Sequence, residues 1–302
     1  MALTDGIKNK LTAIADAIRS KTNKTEKLTP EQMASEVSDI DTLQGLDFSE
    51  IYDDEYGGNL NDELKRDIQF AKDFAQNWDA SRTSAQWVYG SQYGTTQNKV
   101  LPFIDTSNCL RCDFFCYNNR SLLFAPEYLD FRNCTNFQSA FLYASGIRKI
   151  KLITDKGENF SNLLNQCYSL TEATITSIEH ATSLNNLCSG DVILKELRIG
   201  KWKNLNITTI NQSTLLSAES IKYIIWYALN GENTLGFENE GATSRTLKLH
   251  ATPYASWEEW KTTKPSVEDC EFLGIDETEI TKYGELTWED IALDIKLITI
   301  AK

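Results

Sequence analysis

The sequence predicts an α/β solenoid with one short strand in each repeat of about 24 residues, preceded by an N-terminal helical segment and closed by an α/β C-terminal cap. Three observations lead there. Four apolar anchors, Leu122, Ile147, Leu170 and Leu194, stand 25, 23 and 24 residues apart. Six or seven residues before each is another apolar residue: Phe115, Phe141, Leu164 and Leu187. After each anchor comes a short alternating run: APEYLDF, KIKLIT, EATIT and KELRIG. Alternation with period two marks a strand with one face inward. A single such unit cannot cover its own apolar face, so the units must stack.

The elements follow in order. Residues 1–42 form a helix-loop-helix. Ile7, Leu11, Ile14 and Ile18 make one apolar stripe, and Met33, Val37 and Ile40 make a second. The second helix has a defined start: Thr29 as N-cap, Pro30 next and Gln32 at the capping-box position. Two short helices cannot enclose a core. Their stripes, with Ile7, Leu11, Ile14, Ile18, Met33 and Val37 as the contact residues, are expected to meet sister chains or another protein. The 4-3-4 spacing of the first stripe also fits a short coiled-coil seam.

Residues 43–99 read as an acidic linker around DDEYGGN, followed by a helix capped by Asn61. Leu64, Ile68, Ala71, Phe74 or Ala75, and Trp78 give its apolar face. The stretch from Asp79 to Asn98 reads as irregular. Residues 100–213 hold the repeats. Ile150/Leu152, Ala173/Ile175 and Leu197/Ile199 should point inward, with Lys149/Lys151, Glu172/Thr174 and Glu196/Arg198 outward. Residues 214–302 suit the cap that a stack of repeats needs over its last open face. Ser217 should cap a helix bearing Ile221, Ile224, Ile225, Ala228 and Leu229, with Gly231 stopping it. RTLKLH should be a strand, Thr252-Pro253 a helix start and KLITI a closing strand.

Composition narrows the function. The chain has 302 residues, 41% hydrophobic, and a formal charge of −13. An acidic chain without clustered Lys and Arg is not built to track a phosphate backbone, so no nucleic-acid partner is expected. The longest apolar stretches, such as YIIWYAL, are too short for a membrane span, so no membrane insertion is expected. No targeting segment is visible at the N-terminus, so the seven cysteines are expected as reduced thiols.

Several stretches carry a resemblance. IADAIRSKTNKTEKLTPEQMASEV resembles an opening segment of bacteriophage tail-associated structural proteins. AKDFAQNWDAS, VLPFIDTSNC and the repeats resemble the bodies of such proteins, which use bacterial-surface-type leucine-rich repeats. The family's C-x-S-L step stands as CYSL at Cys167 to Leu170 and, more loosely, as CYNNRSL at Cys116 to Leu122. LSAESIKYIIWYALNG with TLKLHATPYASW looks like the family's C-terminal cap. The second repeat departs from the pattern, with Gly146-Ile147 in place of the cysteine step, and the fourth reads CSGDVIL.

The resemblance implies a virion component, a tail fibre or baseplate appendage, assembled in the host cytoplasm and released by lysis. It implies other virion proteins as partners of the N-terminus, a host cell-surface glycan or protein as target, and a homotrimer, the common state of phage fibres. A phage polysaccharide depolymerase and a bacterial leucine-rich-repeat surface adhesin are the rival functions.

Chemistry favours binding over catalysis. Cys109, Cys112, Cys116 and Cys134 could hold zinc, but the recurrence of Cys116, Cys134, Cys167 and Cys188 at repeat-like spacing favours core residues. The two histidines, His180 and His250, lie in no nucleophile or metal motif. Asp130, Asp155, Glu172 and Glu196 could be paired as glycosidase acids, but a solvated charged face explains them far better. The loop from Asp39 has Leu43 at a ligand position, which an EF-hand cannot use. No enzyme and no cofactor are therefore expected. The candidate binding surface comprises Lys149, Lys151, Glu172, Thr174, Glu196 and Arg198 on the strands, with Trp257 and Trp260. These two share a helix face and are the better candidates for exposure of two aromatic clusters, the other being Tyr223, Trp226 and Tyr227, although large aromatics more often fill a core.

Overall fold

The computed structural model describes residues 62–90, 98–202, 206–228, 245–292 and 295–299. The N-terminal stripes (Ile7, Leu11, Ile14, Ile18, Met33 and Val37), the Thr29 capping box, Asn61, Leu229 and Gly231 lie outside the described residues. The chain divides into two compact units, residues 1–78 with 102–104, and residues 79–101 with 105–302. Among the described residues no helix is long and apolar enough to cross a membrane.

The first unit contributes helix α1, Asp62–Gln76, which opens on Asp62 and Glu63, the charge that suits a helix N-terminus. Leu64 and Ala71 of the expected stripe are buried, and Ile68, Phe74 and Trp78 are half-buried. Phe70, off the stripe, is exposed, and its ring stacks on Phe74 one turn away.

The second unit is a mixed α/β structure built on a parallel four-stranded sheet in the order β1-β2-β3-β4. The strands are β1 Leu129–Asp130, β2 Lys149–Ile153, β3 Glu172–Ile175 and β4 Glu196–Ile199. Leu129 pairs with Leu152, Leu152 with Ile175 and Ile175 with Ile199. Ile150, Ala173 and Leu197 form the next inward row. All of these residues are buried, in the alternation expected from sequence.

The anchors Leu122, Ile147, Leu170 and Leu194 are fully buried, and so are Phe115, Phe141, Leu164 and Leu187. Burying a Leu or Phe side chain contributes about 1.5–3 kcal/mol. Between the anchors runs a continuous line of rings: Phe141, Phe115, Phe131, Phe137 and Phe160. Its last pair, Phe137 and Phe160, is stacked at 4.9 Å. Gly157 is required beside it, since a Cβ there would lie 2.1 Å from Phe160 Cζ and 3.0 Å from Phe137 Cε2.

A second line of parallel contacts links Ser84, Arg111, Asn136, Asn159 and Ser183, one residue per repeat. Residues 79–90 are irregular in backbone, as read, yet they supply its first rung: Ala85 N–H donates to Arg111 O and Tyr89 N–H to Phe115 O. The side chain at this position accepts from the N–H two residues on at Ser84, Asn136, Asn159 and Ser183. The next residue then turns left-handed. Trp87, Phe114, Ser139, Asn162 and Asn186 have φ of 55–60°, and a second such column holds Asn118, Tyr143, Gln166 and Gly190. A non-glycine residue in this conformation costs about 1–2 kcal/mol, so each repeat turns its corners against a local penalty that stacking must offset.

The cap follows β4. Helix α2, Ala218–Trp226, is capped by Ser217, whose side chain accepts from Ser220 N–H, and buries Ile221, Ile224 and Ile225. It ends at Trp226, short of Gly231, because the chain leaves it to pair Ala228 with Trp202. Strands β5, Arg245–Leu249, and β6, Ile295–Thr299, pair in parallel. Between them lie α3 Ala251–Trp260, α4 Val267–Leu273, α5 Glu277–Thr281 and α6 Trp288–Ile291. α3 starts two residues before the expected Thr252-Pro253. His250 is the cap, its Nδ1 accepting from Thr252 N–H at 3.3 Å. Pro253 then sits in the first turn, where a helix N–H has no partner to lose.

Candidate binding surfaces

The strand face carries the six residues expected on it. Lys149, Glu172 and Glu196 share one outward row, and Lys151, Thr174 and Arg198 the other. Lys149 Nζ lies 3.1 Å from Glu172 Oε1 with both side chains exposed, a contact of about 0–1 kcal/mol. The row is uneven, because Glu172 also stands beside Glu196 in register. At the β4 end the face is covered: the Arg198 guanidinium lies 4.2 Å from the Phe272 ring centroid and 5.8 Å from Tyr223. The exposed residues of this face are Lys149 and Lys151, with Glu172, Thr174 and Glu196 half-buried.

Trp257 and Trp260 are not part of it, and the exposure expected for them is corrected. Trp257 is 4% exposed, and its ring meets Trp260 edge-on at 4.8 Å. Trp260 is half-buried and meets Trp288 at 6.0 Å, and Trp288 meets Trp226 at 6.1 Å. Lys222 Nζ sits 5.5 Å from the Trp260 and Trp288 centroids and 2.5 Å from Asp269 Oδ1. These rings come from three helices far apart in sequence, so local spacing could place Trp257 and Trp260 on one face but not say what covers it.

The second line of rungs carries side chains that sequence reasoning passed over. At its start Trp87 stacks on Phe114 at 4.4 Å, and Tyr117 meets both edge-on. Tyr143 continues the cluster beside Tyr117, under the Arg120 guanidinium. All four rings are half-buried. Trp87, Phe114 and Tyr143 are also among the left-handed residues, and strained non-glycine backbone tends to gather at functional sites. Arg111 and the buried Asp113 form a two-bond pair next to them, at 3.0 and 2.9 Å.

Beyond this the character changes. The corresponding positions of the next three repeats are Asn136, Gln138 and Ser139, then Asn159, Ser161 and Asn162, then Ser183, Asn185 and Asn186. None is charged. Ser161 and Ser183 hydroxyls lie 2.7 Å apart, and Asn186 Nδ2 donates to Asn162 Oδ1 at 3.1 Å. This row ends in an open cleft of about 620 Å³ lined by Thr182, Ser183, Leu184, Asn185, Asn186, Asn206, Thr208 and Thr209. The signal for it in the sequence was the recurrence of Asn and Ser at one repeat position, which hydrophobic periodicity does not register.

The groups with reactive potential are placed for packing. Cys116, Cys167 and Cys188 are fully buried, and burial pushes their thiols well above the usual range. Cys109 is pushed up to about 11 by burial and by Cys134 nearby. A thiol so raised is a poor nucleophile at neutral pH. Among the described residues no group of three His, Cys, Asp or Glu side chains is arranged to hold a metal ion. Asp130 is paired with Arg132 at 2.6 Å, and Asp155 and His180 are exposed. Asp191 is different: its side chain is buried, Oδ1 accepts from Cys167 N–H at 2.9 Å, and burial raises its pKa to about 8.

Comparison with protein-family models, with characterised proteins and with solved structures finds no match to this chain.

Proposed function

We propose that this chain is a non-enzymatic structural protein of a bacteriophage virion, a tail fibre or baseplate appendage that binds the host surface. In this reading residues 100–213 are a leucine-rich-repeat solenoid, rigid spacer and binding surface together. Residues 214–302 close it. The N-terminal helices, through Ile7, Leu11, Ile14, Ile18, Met33 and Val37, join it to other virion proteins and to two sister chains. The observation that supports it is the pair of in-register ladders, which repeat the same outward positions along several repeats. Such extended faces are what stacked repeats use for recognition. The thiols are buried and raised, and the strand carboxylates face outward on the ladder, which fits binding better than catalysis.

Mass spectrometry of purified virions tests it, with this chain expected among their proteins. Absence from virions together with presence on a bacterial surface would replace this reading with the adhesin. Release of reducing sugar from host capsule by the purified chain would replace binding with depolymerisation. Native mass measurement should show three copies, and a stable monomer of the full chain would refute the trimer.

A further inference from the structure

We propose that the cleft at Asn185, Asn206 and Thr208 is the recognition site for a neutral glycan, and that the uncharged row leading to it is the track for the rest of that glycan. The proposal rests on the host-binding reading above and gives it a ligand class and a place.

The first argument is chemical. Among the described residues none that lines the cleft is charged, although the chain as a whole carries −13. An anionic ligand would meet no cation there and would approach against the chain's own field. A cationic ligand would find no carboxylate among the lining residues. An apolar ligand would strip water from amides and hydroxyls without replacing their hydrogen bonds. A sugar hydroxyl both donates and accepts, and carboxamides and hydroxyls offer both in return.

The second argument is the state of these groups. Asn185 is exposed, and its carboxamide has no hydrogen-bond partner among the described residues. Thr208 is exposed and its hydroxyl does not cap the turn that follows it. Asn206, which also lines the cleft, accepts at its Oδ1 from Thr246 N–H at 2.7 Å, and this fixes the cleft wall to β5. The walls are thus held by the fold while the recognising groups stay open, the preorganised arrangement that favours binding.

The third argument is the track. Repeat-related residues Asn162 and Asn186 are tied to each other, and Ser161 to Ser183, and the backbone rungs that carry them recur at the spacing of neighbouring strands, about 4.8 Å. That spacing is close to the length of one hexose, so successive residues of a polysaccharide can meet successive rungs.

The test is calorimetric titration of the full-length chain with neutral hexose, deoxyhexose and N-acetylhexosamine oligosaccharides, with hyaluronate and polygalacturonate fragments as anionic probes. At least one neutral oligosaccharide should bind, and the anionic ones should not. Asn185→Ala with Thr208→Ala should weaken that binding about tenfold, as expected for two lost hydrogen bonds. Both side chains are exposed, so the melting temperature should not change; Asn185→Asp, which keeps the shape but loses the donor, should weaken binding as well. Binding by none of the neutral probes, preference for the anionic ones, or unchanged affinity in the variants overturns the proposal. Host cells bound equally by wild type and variants would remove the cleft while leaving the virion reading intact. Glycan binding through Asn185 and Thr208 by a chain absent from virions would do the reverse.

Discussion

Asp191 should make this protein less stable as pH rises from 4 to 8, and Asp191→Asn should remove the effect. Its carboxyl is fully buried; Oδ1 has the Cys167 N–H and Oδ2 has no partner. Burial raises the folded pKa from 3.8 to about 8. The folded chain therefore keeps a proton that the unfolded chain releases above pH 4. Stability is full below the unfolded pKa, falls through the interval and levels off above the folded pKa. At about 1.4 kcal/mol per pH unit, the loss by pH 7 is on the order of 4 kcal/mol, a large share of a typical domain's stability. Asparagine cannot ionise, and the fold already accommodates it here, since the corresponding position of an earlier repeat is the buried Asn119. Its amide should leave a buried donor unpaired at about 1–3 kcal/mol, independent of pH. Urea unfolding of both proteins from pH 4 to pH 9 is the assay. The difference in stability between variant and wild type should shift in the variant's favour by several kcal/mol across that range. A difference that stays constant with pH would refute the buried, protonated state of Asp191.

Three further outcomes are expected. Gly157→Ala should destabilise by about 1–3 kcal/mol through overpacking, seen as a lower urea midpoint, because the Phe160 ring it would strike is stacked on Phe137. Lys222→Ala should cost about 1.5–3 kcal/mol, the range for a lost hydrogen bond to a charged group, because Lys222 is half-buried and Asp269 keeps the Ser266 N–H, and it should alter tryptophan fluorescence, since Lys222 sits over Trp260 and Trp288. A thiol reagent at pH 8 should leave Cys116, Cys167 and Cys188 unlabelled in the native protein and label all of them in denaturant, as peptide mapping would show.

The strands were legible because their signal is local. Alternation at Lys149–Ile153, Glu172–Ile175 and Glu196–Ile199 states which side chains go inward, and the 25-23-24 spacing of the anchors states that the strands lie in register. The cap helix at Ser217 was legible for the same reason: a cap and a stripe lie within a dozen residues. The second ladder was not. Its rungs are held by Asn and Ser side chains and by left-handed residues such as Phe114 and Gln166, which no propensity would place there.

Sequence alone thus determined the period, the strands and the identity of the core, because burial of an alternating face is forced within each repeat. Tertiary structure decided which polar residues meet and which aromatics are hidden. Trp260 is covered in part by Trp288 from another helix, and Arg198 by Phe272 of α4. Asn185 and Thr208 share a cleft only because the chain after β4 returns beside the last rung. Those meetings depend on how the elements after β4 pack against the sheet, which no residue's neighbours in sequence encode.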